Sequence, residues 1–393
     1  MKKEKNEKRK NQKKKGTKEE RKGDPMTEMQ DFTLTDRPMA NRILNALKAM
    51  DLKIRVMHVC GGHQDTLVRH GLDRLLMDIG VEIRPGPGCP VCVTTQREIE
   101  EAILLAEKRK TITVFGDMMR VPGMKDDLFA LKSKGADVRM VYSIDDAAKI
   151  AGDHPDLEVV FMAVGFETTA PSTAAAIVKG VPANLSILNT HKLTPPAVGA
   201  LIAMGEVQLD GFIQPGHVTA ITGLNVWEFI STEYKMAQVV AGFEPLDLLM
   251  ATFMLARQVR EGRTELENEY PRVVRAEGNP AGQRVMKEAF DICDAEWRGF
   301  GPIPESGLAL SSQFLEFDAR KRFEDELGEL NDLVIKEPPG CRCGEILRGI
   351  MYPDECPLFG KTCTPRSPVG PCMVTSEGSC NITLKYGKGY FGK

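Results

Sequence analysis

From about residue 40 onward, short apolar runs of strand length alternate with segments of helical period. That alternation restricts the chain to parallel sheets covered by helices. Apolar residues recur at helical spacing over 41–50, and Ile54–Val59 reads as a buried strand. Gln64–Met77 reads as a helix, Val81–Arg84 as a strand, and Thr94–Lys108 as a helix capped by Thr94 or Thr95. Thr111–Phe115 and Asp137–Val141 are further strands. A second series follows, with strands at Val159–Val164, Leu185–Leu188, Gly211–Ile213 and Ala237–Ala241, and helices at Ser172–Val178 and Pro196–Met204.

The fold class expected is therefore α/β: two parallel-sheet β/α domains facing a cleft, at 26–150 and 151–245, plus a Cys-rich C-terminal domain at 331–393. A helix-rich connecting region, 246–330, begins with a long helix, Leu246–Arg260. The first 22 residues hold 12 Lys/Arg against 4 Asp/Glu and almost no apolar side chain, in a chain whose overall formal charge is −3. Such a segment cannot offset the entropy of ordering itself, so residues 1–25 are expected to be a disordered basic tail. The tail has no aromatics and the rest of the chain is acidic, so neither nucleic acid nor a membrane surface is expected as partner. No run of 18 apolar residues exists, and no secretory signal is expected, which places the chain in the cytoplasm.

The unusual residues fall directly after the strands. His58-Val-Cys-Gly-Gly-His63 follows the first, Arg84-Pro-Gly-Pro-Gly-Cys-Pro-Val-Cys92 the second, and Gly116–Gly123 the third. In the second series, Gly165-Phe-Glu-Thr-Thr-Ala-Pro171, Asn189-Thr-His191 and Gln214-Pro-Gly-His217 occupy the same level. Loops at the carboxyl ends of parallel strands form the ligand crevice of such folds.

Ten cysteines in a chain of 393 residues without a secretory signal point to metal binding or thiol chemistry rather than to a disulfide framework. Cys89 and Cys92, three apart before a helix, can bridge or share a metal, and the helix start favours thiolate. Cys60 and His63 offer a soft sulfur and an imidazole that suit iron or zinc. Alternatively, His63 acts as base toward Cys60. Glu167, with Thr168 and Thr169, either caps a helix or walls the cleft. Cys341, Cys343, Cys356, Cys363, Cys372 and Cys380 suit an iron–sulfur cluster with a neighbouring dithiol, and their wide spacing argues against a zinc ribbon. Cys293 is expected to be a buried small residue on a helix. Neither a P-loop nor a dinucleotide fingerprint is present, so nucleotide binding is not expected.

Val59-Cys-Gly-Gly-His63, Arg69-His-Gly-Leu72, Gly86-Pro-Gly-Cys-Pro-Val-Cys-Val-Thr94 and Gly165–Pro171 resemble the HypD family of hydrogenase maturation proteins. So do Cys343–Gly349, Pro357–Pro365 and Gly370–Gly378 within the cysteine array, and the likeness runs from about residue 37 to the end. The resemblance implies a scaffold on which a mononuclear iron receives cyanide and CO for the active site of [NiFe]-hydrogenase. It implies that Cys60 ligates the iron where a small HypC-like chaperone binds. Cys89 and Cys92 would be the dithiol/disulfide, and a HypE-like protein would supply the cyanide. A [4Fe–4S] cluster held by Cys356, Cys363, Cys372 and one of Cys341 and Cys343 would supply electrons. Many members carry a second His two residues after the first, whereas this chain has Asp65. Two other functions fit the same residues: a thiol–disulfide oxidoreductase with a cluster, or a zinc-stabilised binding module.

Overall fold

The computed structural model describes residues 37–387, so the expected tail at 1–25 lies outside the described residues. The first helix, Arg37–Ala49, buries Ile43 and Leu47. Strands β1 (Ile54–His58), β2 (Val81–Pro85), β7 (Gly211–Pro215), β8 (Ala237–Ala241) and β9 (Leu266–Asn268) form one parallel sheet in the order β2-β1-β7-β8-β9. Strands β3 (Thr111–Val114), β4 (Val138–Met140), β5 (Val159–Ala163) and β6 (Leu185–Asn189) form a second, ordered β4-β3-β5-β6 and also parallel. Every residue of β5, β6, β7 and β8 is buried, as expected of parallel strands covered on both faces.

The division at residue 150 expected from strand order is not how the sheets divide. The chain leaves the first sheet after β2, builds all four strands of the second, and returns at β7. β1 is buried and needs hydrogen-bond partners on both edges; β2 takes one edge and β7 the other. That second pairing joins residues about 155 positions apart, which local periodicity cannot reveal.

Two further expectations are corrected. The helix expected over Gln64–Met77 is two helices, Gly61–Arg69 and Leu72–Met77, broken where Gly71 adopts a positive φ of 65°. The region 246–330 opens with the expected long helix, Pro245–Glu261, but then contributes β9 and an antiparallel hairpin, β10 (Phe290–Trp297) with β11 (Gly301–Leu310). Cys293 therefore lies on a strand, half-buried opposite Gly307, rather than inside a helix. Gly299 and Gly301, both at positive φ, shape the hairpin turn. From Pro338 onward, regular structure is limited to short helical turns and the Ser379–Tyr386 helix.

Candidate functional site

Four loops of the first sheet converge on Cys60. It follows β1 and precedes the Gly61–Arg69 helix, with its thiol 3.9 Å from Nδ1 of His217, which follows β7. Phe243, after β8, lies beside both His63 and His217, at ring-centroid distances of 5.0 and 5.1 Å. The fourth loop, after β2, carries the CxxC pair. The Gly61 amide donates to the Gly88 carbonyl at 3.1 Å, and a Cβ on Gly88 would fall 2.1 Å from the Cys60 backbone nitrogen. Only glycine allows the two thiol-bearing loops to lie this close.

Burial dominates the electrostatics. It pushes the Cys60 thiol up to about 12, with the nearby Glu377 carboxylate adding to the rise and the His63 and Gly62 amides opposing it. The thiol is therefore protonated until a cation compensates the thiolate. Burial lowers His58 and His217 to about 4, and it holds His63 well below its ordinary value. A neutral His217 thus lies beside the thiol, and His58 and His63, also neutral, flank it in sequence. His58 Nε2 pairs with Gln64 Oε1 at 2.6 Å, and the buried His63 ring lies beside the Ala241 and Gly242 backbone. A neutral imidazole can lend a ring nitrogen to a metal. Asp65, at the place of the family's second His, is instead ion-paired with Arg69 at 2.9 Å.

Cys89 and Cys92 are joined as a disulfide. Cys89 precedes the short Pro90–Val93 helix, and its sulfur accepts the Cys92 amide at 3.1 Å. The Gln96–Glu107 helix follows, with Thr95 and Glu98 in a reciprocal capping box. A cavity of about 590 Å³ opens beside the pair. Pro90 and Val91 face Asp117 after β3, Thr169 after β5, and Glu377 of the C-terminal segment. The second sheet's loops thus meet the thiol loop of the first.

Glu167 is elsewhere. Its two carboxylate oxygens accept the amide and hydroxyl of Thr194 at 2.7 and 2.8 Å, holding the start of the Thr194–Met204 helix. Burial raises it to about 7 despite those bonds. It lines a separate apolar cavity with Pro195, Met286 and Phe290. His191 also lies apart, in a third cavity beside the buried Lys192–Glu98 ion pair. Sequence reasoning missed Phe243 and Glu377. Glu377 lies inside the Gly370–Gly378 signature, but Phe243 carries no local signal.

The C-terminal cysteines gather in one place. Cys341, Cys343, Cys356, Cys363 and Cys380 line a single narrow cavity, and the fully buried Cys372 belongs to the same core cluster. The sulfurs of Cys341 and Cys343 are 3.3 Å apart. The hydrogen bond from Cys343, and then the charge of Arg298, lower the Cys341 thiol. Gly370 is required here, since a Cβ would stand 2.4 Å from Cys341 Sγ. Among the described residues no three His, Cys, Asp or Glu side chains form a ready-made shell for a single ion. The fit is one of donor chemistry: six soft thiols, none in a disulfide, packed in an apolar segment.

Among the described residues, no helix is long and apolar enough to cross a membrane. The HypD family model, described as "Hydrogenase formation hypA family", matches residues 37–387. A putative hydrogenase expression/formation protein of Methanocaldococcus jannaschii is 45% identical over 362 residues, covering 90% of this chain and 99% of that protein. The hydrogenase maturation factor HypD2 of Bradyrhizobium diazoefficiens is 45% identical over 346 residues, covering 85% of this chain and 90% of its own. HypD of Rhizobium leguminosarum bv. viciae is 43% identical over 360 residues, covering 88% and 92%. With its parallel sheets and Cys-rich C-terminal region, the chain belongs to the HypD family of hydrogenase maturation factors.

Proposed function

We propose that this chain holds the iron on which cyanide and CO are assembled for a [NiFe]-hydrogenase, with Cys60 as ligand and Cys89/Cys92 as the adjacent redox pair. The observation that carries this reading is the contact between the two loops. One buried thiol, beside the neutral His217 imidazole, sits against the backbone of a dithiol/disulfide loop. Iron is the cargo. Its positive charge supplies what burial denies the Cys60 thiolate, and His217 offers a neighbouring nitrogen donor. A small HypC-like chaperone would complete the iron's surroundings, and a HypE-like protein would bring the cyano group on a cysteine sulfur.

The chemistry balances with the residues present. Releasing cyanide from a sulfur-bound cyano group breaks the S–C bond and takes two electrons. The Cys89 and Cys92 thiols supply both by forming their S–S bond; one proton goes to the donor's sulfur and one is released with the cyanide. The disulfide described here is the state after such a step. Cys341 or Cys343, with Cys356, Cys363 and Cys372, would hold a [4Fe–4S] cluster, which when bound supplies single electrons to reopen the disulfide. Glu377, across the cavity from Pro90, is placed to accept and return protons.

Complementing a strain that lacks this gene tests the reading. Cys60→Ala, Cys89→Ala and Cys92→Ala are each expected to abolish hydrogenase maturation while the purified variants keep the wild-type circular dichroism. Full maturation with any one of them removes that residue from the scheme.

A further inference from the structure

We propose that Arg298 is the positioning residue that joins the Cys89–Cys92 pair to the C-terminal thiols and biases that pair toward its reduced form. The inference rests on the redox reading above only for the purpose of the pair; the contacts stand without it. Arg298 lies in the turn between β10 and β11 and is 2% exposed. Its amide donates to the Val93 carbonyl at 3.0 Å, and its Nε donates to the Thr94 carbonyl at 2.8 Å. These are the carbonyls directly after Cys92. Another guanidinium nitrogen reaches Gln96 Oε1 at 3.3 Å, and the last pairs with the Glu337 carboxylate.

The same turn presses on the cysteine array. A Cβ on Gly299 would fall 2.5 Å from Gly344 Cα, in the Cys343–Leu347 helix, and Arg348 donates to the Gly299 carbonyl. Trp297, stacked on Phe166 at 5.7 Å and bonded to Ser306, fixes the turn from behind. Residues 297–299 therefore form a wedge between the CxxC helix and the array.

A guanidinium cannot lose its charge, and a buried cation acts at low effective dielectric. It favours thiolates over a neutral disulfide. Arg298 therefore raises the reduction potential of the adjacent pair. Glu337, half-exposed and ion-paired with Arg298, partly cancels that field. Removing the cation and removing its counter-charge must then move the pair in opposite directions. A role in packing alone would move both the same way, or neither.

The test equilibrates the anaerobically purified full chain with glutathione, in which two glutathiones are oxidised as the Cys89–Cys92 bond opens. Alkylation and mass spectrometry of the peptide then read the open fraction. Arg298→Met is expected to shift the equilibrium about tenfold toward the disulfide, about 30 mV for a two-electron couple. Glu337→Gln is expected to shift it several-fold toward the dithiol, and Arg298→Lys to fall between wild type and Arg298→Met. If Arg298→Met does not fold, Glu337→Gln and Arg298→Lys still decide. An unchanged equilibrium in folded Arg298→Met, or shifts of the same sign in Arg298→Met and Glu337→Gln, overturns the inference. A wild-type pair that no glutathione ratio opens sinks the redox reading of the site itself, and this inference with it.

Discussion

Cys60 stands at the end of a strand paired on both edges, within four loops set by a parallel sheet. Cys343, Cys363, Cys372 and Cys380 stand in a segment with no strand ladder, where the longest helix, Ser379–Tyr386, has eight residues. Around Cys60 the ladder and the packed helices hold the thiol, and its chemistry adds little to the fold. In the array the thiols are themselves part of the core, packed with Ile346, Leu347 and Met373. A segment of that composition usually needs a metal or cross-link to hold it. On the proposed reading, function sits on the fold in the first region and makes the fold in the second.

If the array holds the proposed cluster, removing it by chelation and mild oxidation should have the largest effect. Hydrogen exchange is expected to lose protection throughout residues 341–386, while β1 and β7 keep theirs. Equal loss in both regions would break the comparison, and so would no loss in either.

The joint between the Cys60 and CxxC loops is tested by Gly88→Ala. Its Cβ would meet backbone, not a flexible side chain, 2.1 Å away. Forcing a shift there should cost roughly 2–4 kcal/mol, near the severe end for single substitutions. Chemical denaturation measures it; a cost below about 0.5 kcal/mol, ordinary for a surface site, would mean the two loops are not rigidly joined.

Glu167 gives the smallest effect and sharpens the difference between cleft and scaffold. Its folded-state value of about 7 lies above the ordinary 4.5, so the folded chain holds this proton more tightly. The stability it contributes is full below about pH 4.5 and is lost as pH rises through about 7, a swing of roughly 3 kcal/mol. Glu167→Gln, which can keep both Thr194 bonds, should flatten that part of the pH–stability curve and leave maturation near wild type. An unchanged curve would remove the assigned cause, and lost maturation would return Glu167 to the cleft chemistry.

Much of this was legible from local pattern. Ala237–Ala241 was read with its observed ends, and the Cys60 and CxxC motifs follow β1 and β2 as the period implied. The sheet partition was hidden because β1 and β7 choose each other through tertiary burial, beyond the reach of periodicity. Cys293 misled because the β10–β11 hairpin is specified by the glycine turn at 299–301 more than by alternation. Glu167 misled because a carboxylate beside two threonines reads alike as a cleft wall and as a helix clamp. Arg298 was invisible because a charged residue before Gly299 looks like a solvated turn until the chain closes over it.

The most direct test of the central claim is infrared spectroscopy of the anaerobically purified complex of this chain with its HypC-like partner. The account predicts CN and CO stretching bands with mononuclear iron in the wild-type complex, and their loss in Cys60→Ala although the complex still forms. Bands that persist in Cys60→Ala, or iron-free wild-type complexes that still support maturation, would contradict it.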